Sequence, residues 1–154
     1  MPSPKLLLLL FAISPYLLSA QAAPGWNELL QTADSLYQID EYTASETVLT
    51  EVIQQLTQAD ALSSPTAARA YTLRGDLFRV HYDFEQASSF YEKALKIVPA
   101  SEGADTGKLY NKLGLCAEYT RQYELAEQYY NQALEMLQDA LGEGHLEVAE
   151  VLQN

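Results

Sequence analysis

The chain has 154 residues, 48% of them hydrophobic, and a formal net charge of −12. That length suits one domain, and so acidic a chain argues against partners that need a basic surface, nucleic acid and anionic lipid above all. A single cysteine, Cys116, excludes an intrachain disulfide.

Residues 1–22 stand apart. Lys5 is the only charge before Glu28, Leu6 to Ile13 is an unbroken apolar run, and Ala20-Gln21-Ala22 is a small-x-small site. A basic start, a short apolar core and that ending read as a secretory signal peptide cut after Ala22. The expected destination is the cell envelope: secreted or periplasmic. Pro15 interrupts the stretch, and a spanning helix needs about 20 apolar residues, so membrane attachment is expected only through an uncleaved leader. Cleavage removes Lys5 and leaves 8 basic against 21 acidic side chains, a net of about −13.

The remainder, residues 23–154, repeats itself. A weak first unit, about 26–60, is anchored at Ala33 and followed by Tyr42, Ser45, Leu49, Val52 and Leu56. A second unit, about 66–99, is anchored 42 residues later at Gly75, with Phe84, Ala87, Tyr91, Ala94 and Val98 at the same offsets. A third, about 105–141, follows after 39 residues at Gly114, with Tyr123, Ala126, Tyr130, Ala133 and Leu137. Residues 145–154 read as the start of a fourth, cut off before its anchor. Steps of four, three and four between these positions mark one face of an α-helix. Each unit is therefore predicted as two antiparallel helices. Gly or Ala on the first and Ala on the second allow a close approach, and an aromatic fills the space beside them. Gly75 and Gly114 each cost about 1 kcal/mol against Ala in a helix interior, and close packing is the expected compensation. Pro99 is expected to close the second unit. Tyr71, Tyr91, Tyr110 and Tyr130 fall on packing positions, leaving Tyr37, Tyr82, Tyr119 and Tyr129 freer to meet a partner.

These residues resemble tetratricopeptide repeats: Tyr71, Gly75, Phe78, Ala87, Tyr91, Ala94 and Pro99 fit one repeat, and Tyr110, Leu113, Gly114, Ala126, Tyr130 and Ala133 fit the next. Arg74 replaces a Leu of the pattern and Ala117 its second aromatic. Periods above the usual ~34 residues, with the loop Ala140-Leu141-Gly142-Glu143-Gly144-His145-Leu146-Glu147-Val148-Ala149, resemble the long-period subclass of kinesin light chains. The resemblance implies an all-α, right-handed solenoid of antiparallel helix pairs, with three repeats and a truncated fourth. It also implies an interaction scaffold without catalysis, taking a peptide or a partner helix in its concave groove.

On that reading the first helix of each pair lines the concave face. Its outward positions are Asn27, Asp34 and Tyr37; then Arg69, Thr72, Asp76 and Arg79; then Lys108, Asn111, Lys112 and Glu118. Five basic residues (Arg69, Arg74, Arg79, Lys108 and Lys112) fall on the second and third first helices, while the second helices carry acids. A cationic lining of this kind is expected to suit an acidic segment or a free carboxylate. It does not match the family's carboxylate clamp, because Asp34 stands where an amide is required. No chemistry is expected: His81 and His145 have no second ligand at metal spacing, no phosphate loop or nucleophile elbow is present, and neither cofactor nor metal is implied. Cys116 reads as a buried apolar residue. The rival expectation is a regulatory N-terminal part of a larger enzyme, such as a caspase-like protease. The half-unit at 145–154 also offers a route to self-association.

Overall fold

The computed structural model describes residues 25–98 and 102–154. The leader, its cleavage site at Ala22 and the helix-ending role of Pro99 lie outside the described residues. Seven α-helices make up the fold: α1 (Trp26–Gln38), α2 (Tyr42–Gln58), α3 (Pro65–Val80), α4 (Phe84–Leu95), α5 (Gly103–Tyr119), α6 (Tyr123–Leu141) and α7 (Leu146–Gln153). No strand occurs among the described residues. Each helix packs on its neighbours in the chain, and α1 also touches α3, giving an all-α superhelix of helix hairpins.

Local chemistry sets the ends. Ser64 caps α3 by accepting from the Ala67 amide at 3.2 Å, with Pro65 in the first turn. Asp83 caps α4 through the Gln86 amide at 3.1 Å, so this acid beside His81 is a cap. Gly142, at φ 91°, ends α6 in a conformation that L side chains rarely adopt. The turn inside each hairpin passes through one left-handed residue, Asp40, Tyr82 or Arg121.

The buried faces follow the repeat. Ser45, Leu49, Val52 and Leu56 of α2, Ala87, Tyr91 and Ala94 of α4, and Ala126, Ala133 and Leu137 of α6 are all buried. Burying a Leu-sized side chain stabilises by roughly 1.5–3 kcal/mol, and here that gain recurs in three successive core clusters instead of one central core. A Cβ built on Gly75 meets the Tyr91 ring at 2.4 Å, and one on Gly114 meets the Tyr130 ring at 2.5 Å. Both glycines are therefore required by a ring lying on the helix. Gly107 is a third such contact, 2.7 Å from Leu137 Cγ. Tyr123 departs from its expected packing role and is 61% exposed. Its counterparts Tyr42 and Phe84 lie against His81 and Tyr119 of the following unit, at 6.2 and 4.4 Å between ring centroids. Among the described residues Tyr123 has no such neighbour.

Candidate functional site

The first helices α1, α3 and α5 do share one face, and a cleft of about 380 Å³ opens along it. Leu30, Ala68, Leu73 and Leu109 contribute apolar walls, and Asp34, Arg69, Thr72, Asp76, Lys108 and Lys112 contribute polar ones. A second cleft of about 440 Å³ lies between α5 and α7, with Arg79, Lys108, Asn111 and Lys112 on its border. Eight of the eleven residues expected on this face thus border one cleft or the other. Asn27, Tyr37 and Glu118 border neither. Glu118 instead accepts from the Tyr130 hydroxyl at 2.8 Å, at the far end of α5.

Side chains one repeat apart bridge successive first helices like rungs. The Thr66 hydroxyl lies 3.2 Å from Asn27 Oδ1, and Arg79 Nη2 donates to the Tyr37 hydroxyl at 3.3 Å. Lys112 Nζ reaches Asp76 Oδ1 at 2.5 Å, and Lys108 Nζ reaches Glu147 at 3.2 Å. Asn154 Nδ2 donates to Asn111 Oδ1 at 2.9 Å. Partners in these pairs are 36 to 43 residues apart, the length of a repeat.

Asp76 is the hub. Its Oδ1 also accepts from the buried Tyr91 hydroxyl at 2.8 Å, and Arg79 Nε approaches to 3.8 Å. Burial and the Asp76 charge push the Tyr91 hydroxyl far above the ordinary tyrosine range, so it keeps its proton and donates. Burial, with the Asp76 charge behind it, likewise raises the Tyr37 hydroxyl. One carboxylate therefore ties α3 to its own hairpin partner α4 and to the next repeat's α5.

This geometry changes the expected character of the lining. Arg79, Lys108 and Lys112 are engaged by acids, and Arg74 lies on another side, pairing with Glu46 of α2 at 3.2 Å. Arg69 is exposed and has no ion-pair partner among the described residues. Acids at Asp34, Asp76, Glu102 and Asp105 outnumber Arg69, Lys108 and Lys112 around the first cleft. The cleft is an apolar slot with a mixed rim instead of a cationic channel. The helical period placed Thr72 and Lys112 on this face. It could not show Glu102, Asp105 or Glu147, which also border the clefts.

Nothing here is arranged for catalysis by a thiol: Cys116 is fully buried and burial raises its thiol above the usual range. No group of three His, Cys, Asp or Glu converges on a metal position among the described residues. No helix among them is long and apolar enough to cross a membrane.

Comparison with known proteins agrees with the architecture. The tetratricopeptide repeat family model matches residues 105–154. Tetratricopeptide repeat protein 16 of Mus musculus is 36% identical over 66 residues, which is 42% of this chain and 9% of that protein. The Homo sapiens counterpart is 35% identical over the same length, 8% of that protein. The chain thus spans less than a tenth of these relatives. BtubC (BKLC) from P. vanneervenii superposes with a TM-score of 0.64 at 29% identity, over 81% of this chain and 50% of that one. The Sgt2 TPR domain from Aspergillus fumigatus superposes at 0.62 over 84% of this chain and 76% of that one; at 18% identity it speaks for the fold alone. Repeat units in register, ring-on-glycine hairpins and these likenesses together support a tetratricopeptide repeat solenoid, with residues 105–154 matched by the family model.

Proposed function

We propose that this protein is an exported scaffold that binds an extended peptide or a partner helix in its concave cleft and performs no reaction. That a repeat stack of this family serves protein–protein interaction is the broad statement; the cleft as the seat of binding is the narrower one. The observation that carries it is the set of rungs. They tie successive first helices together beside an apolar slot edged by Arg69, Asp34 and Thr72. A bound peptide would bury an apolar side chain in the slot and present an acidic group to Arg69. The leader features of residues 1–22 support export, and N-terminal sequencing of protein recovered outside the cytoplasm should begin at Ala23.

Peptides selected by phage display against the chain provide the test. Thr72→Trp fills the slot from a half-exposed position. Selected peptides should lose about tenfold or more in affinity for Thr72→Trp, with helical content unchanged. Undiminished binding by that variant would reject the cleft as the site.

A further inference from the structure

The turns inside the three hairpins lie along one edge of the solenoid, and that edge is faced with rings. Tyr37 meets Tyr42 at 5.5 Å between centroids, Tyr42 meets His81 at 6.2 Å, and Phe84 stacks on Tyr119 at 4.4 Å with planes 4° apart. One ring contact thus joins the first unit to the second and another joins the second to the third. Three rings on this edge remain in solvent: Tyr82 is 79% exposed, Tyr119 63% and Tyr123 61%. Fully buried Tyr91 shows what a structural tyrosine looks like in this fold. Tyr82 also occupies the left-handed turn position, at φ 62°, where the other two turns place Asp40 and Arg121. A bulky aromatic is disfavoured in that conformation, and the ring's aromatic contact is an edge-on approach to Phe84 at 6.2 Å between centroids.

Acids outnumber bases on this edge. Asp40, Glu41, Asp83, Glu85, Glu118 and Glu124 are all exposed, against Arg121 and the half-buried Arg79 beside Tyr37. Flat rings among carboxylates match one chemistry well. A guanidinium stacks on an aromatic face and forks two N–H donors toward a carboxylate. An apolar partner would strand these carboxylates away from water at high cost, and a neutral sugar would use the rings but not the charges.

We propose that this turn edge docks an arginine-bearing basic segment of a partner protein, guanidinium groups lying on Tyr82, Tyr119 and Tyr123 and pairing with the carboxylates beside them. The surface is separate from the concave cleft, and one chain could hold two segments at once.

Fluorescein-labelled hexaarginine, titrated into the full chain at about 0.15 M salt and followed by anisotropy, tests this. Tyr82→Asn with Tyr123→Ser removes two rings that the fold does not bury and keeps the charge. Glu85→Gln with Glu124→Gln does the reverse. Each pair should weaken binding by about fivefold or more. Glu92→Gln with Glu135→Gln, which removes equal charge from the exposed faces of α4 and α6, should cost less than about twofold. Thr72→Trp should leave hexaarginine binding unchanged, which separates this surface from the cleft. Wild-type affinity in the ring variant would overturn the proposal, as would no binding by the wild type. A neutral oligosaccharide such as chitohexaose binding more tightly than hexaarginine, with the Tyr82 and Tyr123 ring signals shifted in NMR, would also overturn it and assign the edge to sugars.

Discussion

The first hairpin and the second fill equivalent packing positions differently. In α3–α4 a glycine, Gly75, accepts the face of Tyr91, whose hydroxyl reaches out to Asp76. In α1–α2 the same two positions hold Ala33 and Leu49, both fully buried. There Ser45 takes the place of Ala87 and donates its hydroxyl to the Ala33 carbonyl at 2.7 Å. Helix separation is thus a property of the pair of residues and not of glycine as such. A ring on one helix requires a bare backbone on the other; a smaller Leu permits a methyl there. The ring solution has a further use. Its hydroxyl carries the hairpin's packing to Asp76 on the concave face, where the first hairpin ends in its own interior.

The comparison can be broken most severely at Gly75. Gly75→Ala places a methyl 2.4 Å from the Tyr91 ring, and overpacking of this kind should cost about 1–3 kcal/mol in urea denaturation. Adding Tyr91→Leu, which rebuilds the first hairpin's crossing in the second, should recover most of the loss. A double variant as unstable as the single one would show that the two crossings are not interchangeable.

A smaller effect sharpens the other side. Ser45→Ala removes the buried hydroxyl that only the first hairpin uses and should cost about 1 kcal/mol. The Ala33 carbonyl keeps its helical partner, so a loss much above this in calorimetry would mean that α1 itself detaches.

The smallest difference lies between the two ring crossings. Tyr91→Phe takes a donor from Asp76, which is 13% exposed, and should cost roughly 0.5–1.5 kcal/mol. Tyr130→Phe takes one from the exposed Glu118 and should cost less, because water replaces the lost donor. Equal losses in parallel denaturation curves would contradict the central place given to Asp76.

The clefts and the aromatic edge were only partly visible in the amino-acid order. Lys108, Lys112 and Arg79 border the clefts, yet their pairing with Glu147 and Asp76 is a matter of how far one first helix sits from the next. That spacing is set by packing between units, which no single-helix period encodes. Arg74 shows the same limit. It lies five residues from Arg69 on one helix, and the twist of α3 sends it toward Glu46 on α2.

By itself the sequence determined the helix hairpins, their number and most of the residues each buries, because a period of 3.6 within a helix and a period near 40 along the chain are both written in side-chain size. Tertiary structure alone decided which charges cancel, where the concave cleft stays open, and that Tyr123 faces water while Phe84 stacks on Tyr119. The physical reason is range. Burial within a hairpin depends on residues a few turns apart, whereas rungs and ring stacks join residues a whole repeat apart, whose meeting depends on the angle between units.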